Sequence, residues 1–387
     1  MHEGQPTAAG ANRLAGAFQP VADALRVSRG TAYALFVFDI GFAIDLNHAE
    51  RRITAETKQR RTIRRKHPAP HHFDYSPPPL QIVHAHEPLR IAGFATHPTC
   101  DVVIYDFGAV SITFRLGLDA VLGELIRLGY ELYDNEPLLS AARRIAAGLL
   151  ATVRPAVSRP GLSEIVEDYV IYQLESDDPP QDLDVLIGQH GQPIAQLLRA
   201  EVSDLSAQEV QDALACQIAY GPRDRTLIDW NAAIIYDRDA DDVRAVLEYA
   251  NVQLLESRYL DDRLDDDLDQ AYATLARQGW RQMILRRTRD DLRRVTEFQI
   301  DAAILYEGVH NALKLLGDQY LARVYRMASQ RLHLPSWQGS IRRKLEVLES
   351  ISQRLADQQS NIRLEILEWI IILLIAVEIT AGLLGAC

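Results

Sequence analysis

The sequence has few of the residues that mark the common catalytic and metal-binding motifs. Its three cysteines, Cys100, Cys216 and Cys387, form neither a disulfide framework nor a metal pattern, which indicates a reducing compartment. A Walker-type phosphate loop, an H-E-x-x-H zinc helix and a G-x-S-x-G elbow are all absent. The sequence therefore nominates no nucleophile or base, and the preferred interpretation is a protein without catalytic residues, cofactor or metal.

Lysine is also scarce, with four among 41 basic residues, and the formal net charge of −12 argues against a general nucleic-acid binder. Residues 51–66 are the exception, because they carry a net charge of +7. The candidate contacts there are Arg60, Arg61, Arg64, Arg65 and Lys66. They suit anionic lipid, a ribosome or RNA phosphates. The segment lacks aromatic residues for stacking, so specific recognition of DNA or RNA sequence is not expected. The alternative is a solvated loop that pairs with the acidic remainder.

Strand and helix patterns alternate in the first two thirds of the chain. Residues 1–30 predict a loosely ordered leader without a secretory signal, and 31–237 a mixed α/β domain with a basic, proline-rich loop at 51–79. The predicted strands are 31–46, 89–94, 101–105, 109–114, 167–174, 226–229 and 232–237. A short helix is expected to follow residue 48, and further helices cover 118–128, 137–152, 182–200 and 206–219.

Residues 239–360 have a helical pattern. Apolar residues alternate three and four apart over four heptads, which predicts a long coiled-coil hairpin. The main seam consists of Leu292, Val295, Gln299, Ala302, Tyr306, Val309, Leu313, Leu316 and Tyr320. Shorter seams run through Leu264, Leu268, Ala271 and Leu275, and through Ile341, Leu345, Leu348 and Leu355. A third helix is expected to lead into the C-terminal segment.

The C-terminal segment, residues 364–387, predicts a transmembrane anchor. Residues 369–387 contain one charged side chain, Glu378, and span roughly 28 Å at about 1.5 Å per helical residue. Positive charge before the segment and none after it predicts a single-pass protein with a cytoplasmic body. Glu378 and Gly382 lie one turn apart, which favours helix–helix association into a homo-oligomer. A shifted span that leaves Glu378 hydrated is the alternative.

Two patterns imitate metal sites. Four acids stand at positions of a calcium loop, namely Asp237, Asp239, Asp241 and Glu248. Asp242 occupies the position where that loop needs glycine, so acids near a helix N-terminus are the better interpretation. His84 and His86 would project from one face of a strand, as metal ligands do, but they adjoin a proline-rich segment and are interpreted as solvated.

The chain resembles the "required for meiotic nuclear division" family (domain of unknown function 155) in four segments. These are the paired strands DVVIYDFGAV, the helical run DAAILYEGVHNALKLLGDQYLARVYRMASQRLHL, the segment SIRRKLEVLESISQRL and the terminal LEWIIILLIAVEI. The match covers about residues 30–387. The resemblance implies a C-terminally anchored membrane protein, with a mitochondrial relative tied to the inner membrane and to organellar translation. It supplies no catalytic residues. The lack of a clear mitochondrial presequence favours a bacterial inner membrane.

These expectations combine into an α+β fold with an N-terminal mixed domain, a coiled-coil hairpin and a C-terminal transmembrane helix. The predicted function is a tail-anchored membrane scaffold that self-associates and holds a cytoplasmic partner, with a link to translation. One alternative is an enzyme with a pocket in the α/β domain on a membrane stalk. Another is an RNA- or ribosome-associated membrane tether that uses residues 51–66. A polar pocket would favour the enzyme, and an exposed apolar patch the scaffold.

Overall fold

A computed structural model describes residues 25–60, 63–65, 77–175, 182–276 and 318–384. Only the backbone is described at 56–60, 63–65, 274–276, 352, 355–367 and 377–384. The chain divides into two compact units. The sheet unit comprises Met1–Arg258 and Gly308–Pro335, and the helical unit comprises Tyr259–Glu307 and Ser336–Cys387.

The elements follow one another in an irregular order of strands and helices. The strands are β1 (Arg26–Asp39), β2 (Ala43–Ile44), β3 (Ile63–Arg65), β4 (Leu80–Ala85), β5 (Arg90–Ile91), β6 (Phe94–Ala95), β7 (Thr99–Ile104), β8 (Ala109–Val121), β9 (Val157–Ser158), β10 (Val166–Leu174), β11 (Gln217–Ile218), β12 (Arg225–Ile228) and β13 (Ala232–Tyr236). The helices are α1 (Leu46–Arg60), α2 (Leu122–Leu132), α3 (Glu136–Val153), α4 (Leu183–Gln189), α5 (Gly191–Arg199), α6 (Ala207–Ala215), α7 (Asp241–Ala276), α8 (Gln319–Arg331) and α9 (Leu334–Leu384), with a 3-10 turn at Arg154–Ala156.

A nine-stranded mixed sheet forms the centre of the sheet unit, in the order β11-β12-β13-β10-β1-β8-β7-β4-β3. Strand β1 lies in the middle and pairs antiparallel with both β8 and β10. The pairing of β10 with β13 is parallel, and the other pairs of this sheet are antiparallel. The predicted α+β class is confirmed for this part of the fold.

The two faces of the sheet are covered by different helices. Successive residues of a strand point to opposite faces, so β1 contributes to both. The first face, to which β1 contributes Ala32, Ala34, Phe36 and Phe38, packs with residues of α1 to α5 in the largest apolar core. The second face, to which β1 contributes Tyr33, Leu35, Val37 and Asp39, packs under α7 and α8.

In the helical unit, α7 and α9 share a small apolar core. Its buried members are Leu260, Leu264, Ala271, Ile341, Leu348 and Ile351, with Leu268 and Leu345 partly buried beside them. Lys344 of α9 adds ion pairs to Asp261 at 2.9 Å and to Asp265 at 2.7 Å of α7. The two shorter seams predicted from the sequence therefore pack against each other. The main seam at 292–316 lies outside the described residues.

The predicted transmembrane anchor at 364–387 is wrong. Within the described parts of the chain, every helix falls short of the length of apolar sequence that a membrane crossing requires. The apolar run whose side chains are described, residues 369–376, belongs to α9. Its eight residues extend about 12 Å along a helix, whereas the hydrocarbon core is about 30 Å thick. The tail-anchored, single-pass assignment and its location in a bacterial inner membrane are not supported.

Several local predictions also differ from the structure. The helix predicted at 206–219 ends at Ala215, and Gln217–Ile218 form β11. The predicted helix at 118–128 is wrong at its start, because residues 118–121 complete β8 and α2 begins at Leu122. The predicted strand at 89–94 divides into β5 and β6, which are joined by a turn at Ala92 (φ 49°) and Gly93 (φ 93°). Positive φ values end an extended strand, and glycine adopts them without strain. Residues 1–24 of the predicted leader lie outside the described residues.

Candidate functional site

The buried polar residues of the described sheet strands all lie on the second face. They are Asp39, Ser111, Thr113, Glu167, Gln173 and Thr226. Strand register fixes their side: Val37 pairs with Ser111 and Glu167, and Ile235 pairs with Thr226 and Gln173. Burying polar groups is costly unless they are hydrogen-bonded, so their concentration on one face marks it as the chemically distinct part of the sheet.

Asp39 ends β1 next to a tight crossing of two loops. Its side chain is 2% exposed. Gly108 has a φ of 110°, and a Cβ there would lie 1.8 Å from the Gly41 carbonyl oxygen and 3.3 Å from Asp39 Oδ2. The crossing therefore requires glycine at 108. The backbone carbonyl of Asp39 accepts a hydrogen bond from Ser163 N at 2.9 Å, which fixes the strand end.

Glu256 of α7 is a second buried acid close to Asp39. It is 3% exposed, and burial raises the pKa of its carboxyl well above the usual range, with the charge of Asp39 raising it further. Two carboxyl groups that interact in a site of low polarity hold a proton between them, because both charges together are unfavourable. This pair favours the protonated form of Glu256.

A third acid on the same face, Glu167, forms an ion pair with Arg258 of α7. Burial raises the pKa of Glu167 to about 7, although the Arg258 guanidinium acts in the opposite direction. The carboxyl is 9% exposed, so desolvation outweighs the attraction of a partner that is itself 44% exposed. Glu167 is therefore poised to exchange a proton near neutral pH.

Helix α7 contributes uncharged polar groups to the same region. Gln253 donates to the Tyr249 hydroxyl at 3.4 Å and accepts a hydrogen bond from the Tyr325 hydroxyl of α8. Asn251 is 1% exposed, and neither atom of its amide group has a hydrogen-bond partner among the described residues. With exposures of 1–7%, Asp39, Glu167, Asn251 and Glu256 are all almost fully removed from solvent.

A separate ion network surrounds Asp229 in the turn between β12 and β13. Asp229 is 0% exposed and pairs with Arg199 of α5 at 2.6 Å and with the Arg331 guanidinium of α8 at 2.7 Å. Asp212 of α6 binds the same two arginines at 2.6 and 2.8 Å. Each guanidinium is thus shared by two carboxylates, and the network ties three helices to the end of the sheet. Its role is structural.

The patterns that imitate metal sites separate in the structure. His84 belongs to β4, where burial lowers the pKa of its ring, and His86 packs edge-on against Phe114 at 4.9 Å. Asp241 and Asp242 lie in the first turn of α7, where the helix dipole favours acids. Among the described residues, no group of three or more histidine, cysteine or acidic side chains could hold a metal ion.

The basic segment predicted at 51–66 is largely regular backbone. Arg60 ends α1, and Arg64 and Arg65 lie in β3, which pairs with β4. Arg61 and Lys66 lie outside the described residues, as do the side chains of the other three. Whether these five residues bind a partner stays a prediction.

The structure brings other arginines to the same surface. Helix α1 packs on α3, with Asp45 N 2.9 Å from Ala156 O and Arg52 Nε 3.4 Å from Thr152 O. Arg51 and Arg52 of α1 are exposed, and so are Arg144 of α3 and Arg154 of the following 3-10 turn. No sequence pattern predicted that Arg144 and Arg154 would join this surface, because they lie about 90 residues away from Arg51 and Arg52 along the chain.

Helix α9 carries the largest exposed apolar run of the described residues. The seven side chains from Trp369 to Ile375 are 48–70% exposed. Glu378 and Gly382 lie further along the same helix, and their side chains are not described. The predicted association through these two residues stays a prediction.

A comparison with known proteins places the sheet unit in a family. The model of the family "Uncharacterized protein MJ0711, N-terminal domain" matches residues 29–242. Uncharacterized protein MJ0711 of Methanocaldococcus jannaschii is 22% identical over 222 residues, which cover 57% of this chain and 67% of the relative. No solved structure matches the chain.

The resemblance to the "required for meiotic nuclear division" family is wrong. Three of the four segments that suggested it lie beyond residue 242, outside the matched region. Apolar and heptad-like helical segments follow from helix periodicity, which unrelated proteins share. The match with residues 29–242 covers more than half of the sequence, and the chain belongs to the family of the MJ0711 N-terminal domain.

Proposed function

We propose that the protein is a self-associating scaffold whose copies assemble through residues 369–375 of α9. The observation that carries this proposal is the run of seven consecutive large apolar side chains, each about half exposed or more. Monomeric proteins rarely expose a contiguous apolar patch of this kind, and such patches usually mark an interaction site.

The distribution of the run around the helix favours more than two copies. Seven consecutive residues cover nearly two turns, so they place apolar side chains on every side of α9. A helix that is apolar all round is stable in water when neighbours surround it. Assemblies of three or more copies would enclose the run.

The register of α9 supports a second copy of this chain as the neighbour. Within one chain, Ile341, Leu345 and Leu348 of α9 pack against α7, which is described as far as Ala276. The same alternation of four and three recurs further along α9 at Ile362, Ile366, Trp369, Leu373 and Ala376, after the polar Ser352 and Gln359 interrupt the apolar seam. Parallel copies of α9 would therefore meet in register over residues 362–376.

An assembly of this kind presents several copies of the sheet unit to one partner. Multivalent presentation raises the apparent affinity without any new contact. The burial of the acids on the second face supports a scaffold over an enzyme, because Asp39 and Glu256 are only 2% and 3% exposed and present little surface to a substrate.

Sedimentation velocity of the purified chain tests the proposal. The parent is expected to form species of three or more copies, and the double variant Ile370→Asp/Leu373→Asp to be monomeric, because buried carboxylates repel one another. Val185→Asp is the matched control, since Val185 is 52% exposed on α4 in the sheet unit.

Two results would overturn the proposal. One is a parent that stays monomeric across the accessible concentration range. The other is a parent that floats with phospholipid vesicles and forms no oligomer in lipid-free buffer. Circular dichroism of the double variant separates loss of assembly from loss of folding.

A further inference from the structure

Helices α1 and α3 form a shallow surface bordered by arginines. The contacts from Asp45 to Ala156 and from Arg52 to Thr152 show that the two helices run antiparallel, because higher numbers on α1 meet lower numbers on α3. Ala49 and Ile53 of α1 are buried in the core below, and this fixes which side of α1 faces outward.

The exposed side of α3 is floored by small residues. Ala147, Gly148 and Ala151 are exposed and recur at the three- and four-residue spacing of one helix face. A Cβ built at Gly148 would meet nothing within 4 Å. Arg144 and Arg154 mark the two ends of this floor, about 15 Å apart at 1.5 Å per residue. A flat chain of atoms can therefore approach the backbone of α3 closely.

The four arginines of this surface are Arg51, Arg52, Arg144 and Arg154. None of them has a carboxylate partner among the described residues. Glu50 of α1 lies two residues before Arg52, which places it about 200° away around the helix. The surface therefore groups four exposed arginines that have no carboxylate partner among the described side chains, on a chain of net charge −12.

We propose that this surface binds a nucleic-acid backbone through its phosphodiester groups. Guanidinium groups match phosphate oxygens with two parallel hydrogen bonds. Along one strand of a duplex, 15 Å corresponds to about four phosphates. Among its described side chains, the surface has no exposed aromatic residue on which a base could stack, so we expect it to contact the backbone without sequence preference.

The same residues argue against a lipid surface as the partner. Helices that lie on a membrane bury large apolar side chains such as Trp, Phe or Leu into the headgroup region. The large apolar side chains that are exposed in the described part of the chain lie outside α1, α3 and the 3-10 turn. The alanine and glycine residues of this floor have no large apolar side chain that could insert into a bilayer.

The nucleic acid would be the partner that the scaffold holds, and in that respect the proposal rests on the proposed function. The two remain separable, because the arginines lie in the sheet unit and the assembly run lies in the helical unit. The monomeric variant Ile370→Asp/Leu373→Asp should keep the intrinsic affinity for a short duplex. Failure of assembly would leave this result intact, and failure of nucleic-acid binding would leave assembly intact.

Fluorescence anisotropy with a labelled 20-base-pair RNA duplex and the matching DNA duplex tests the proposal. Gly148→Glu places a carboxylate in the centre of the floor without a steric clash and should weaken binding to both probes about tenfold. Gly123→Glu on α2 is the matched control, since a Cβ there also meets nothing within 4 Å. It should bind as the parent does.

A second variant replaces the four arginines with glutamine. It should weaken binding by tenfold or more and reduce the slope of log affinity against log salt by about 3. The control replaces four exposed arginines elsewhere with glutamine, at Arg90, Arg238, Arg342 and Arg343. Equal losses in both quadruple variants, no binding by the parent, or binding to phosphatidylserine vesicles in place of either duplex would each overturn the proposal. If the four-arginine variant loses affinity for the RNA duplex and keeps its affinity for the DNA duplex, the surface binds RNA and the partner is restricted to RNA.

Discussion

The two faces of the central sheet are stabilised in different ways. Under α1 to α5, the described strands bury apolar side chains, Cys100, Tyr172 and Tyr236, and none of these side chains is an acid or an amide. Under α7 and α8, the same strands bury acids, hydroxyls and an amide next to apolar residues. The difference shows that one face provides packing, whereas the other uses directional hydrogen bonds and ion pairs to fix how α7 and α8 lie.

Directional contacts cost stability unless each group finds a partner. On the second face, Asp229 has two arginines, while Asn251 and the Ser111 hydroxyl have no partner among the described residues. The first face has such a group as well, the Tyr236 hydroxyl, but its described strands bury no acid. Mutations on the two faces should have different signs and different pH dependence.

The largest effect is expected at the centre of the first face. Phe114 is 0% exposed and packs edge-on against Phe36 at 6.1 Å. Phe114→Ala should lower the free energy of unfolding by about 4 kcal/mol, because the change removes apolar contact and leaves a cavity. Urea unfolding at a single pH measures it. A loss below about 2 kcal/mol would contradict the description of Phe114 as a closely packed core side chain.

Glu167→Gln tests whether a buried acid on the second face makes the free energy of unfolding depend on pH. Because burial raises the pKa of Glu167 from 4.5 to about 7, the folded state binds more protons than the unfolded state between these values. Stability therefore falls as pH rises through this window, by about 3 kcal/mol in total. Glutamine should remove this loss and make the variant more stable than the parent above pH 7.

Glu164→Gln is the control for that experiment. The Glu164 carboxyl is 94% exposed, and it pairs with Arg143 at the surface. Its substitution should leave the pH dependence of stability unchanged. Identical pH profiles for the parent and Glu167→Gln would show that burial on the second face does not perturb this acid.

Arg331→Met tests the ion network that anchors α8. The variant removes one of two guanidinium partners from a carboxylate that is 0% exposed. Loss of a buried partner costs about 3–5 kcal/mol, and since Arg199 still binds Asp229 we expect about 2 kcal/mol. Thermal unfolding measures it at two salt concentrations. A cost that disappears in 1 M salt would indicate a screened surface pair.

The smallest change in the free energy of unfolding is expected for Ser111→Ala. The sign of that change tests whether the Ser111 hydroxyl lacks a partner. The side chain is 0% exposed, and its hydroxyl has no hydrogen-bond partner among the described residues. Ser111→Ala should therefore stabilise the fold by up to about 1 kcal/mol. Ser163→Ala should destabilise it by a similar amount, because the Ser163 hydroxyl accepts a hydrogen bond from Ile165 N at 3.1 Å. If Ser111→Ala destabilises the protein as much as Ser163→Ala does, the Ser111 hydroxyl has a hydrogen-bond partner and the expectation is wrong.

Sequence patterns predicted the strands of the sheet better than their ends. Residues 31–39 and 167–174 are rich in aromatic and β-branched side chains, and both form central strands. Residues 118–121 resemble a helix start, but they pair with β1, where Leu118 lies opposite Gly30 and Val121 opposite Arg26. That pairing uses residues assigned to the leader, so no local pattern could reveal it.

The candidate surfaces were predicted only where they are local in sequence. The basic segment was recognised from its composition, but its neighbours Arg144 and Arg154 depend on the packing of α1 on α3. The acid pair joins Asp39 to Glu256, which are separated by more than 200 residues. Contacts of this separation follow from the fold, and a single sequence does not encode them in any window.

The position of α8 in the chain affects how the protein is made. Leu321, Val324 and Ala328 of α8, with Leu332 and Leu334 after it, fill the second face, whereas the other buried members of that core lie at or before residue 250. The ribosome completes α8 55 residues after the end of α7, which takes roughly 3–10 s at 5–20 residues per second. During this interval the nascent chain exposes an apolar surface that a chaperone can bind. The speed of translation through residues 277–318 therefore determines how long the unfinished protein is open to aggregation.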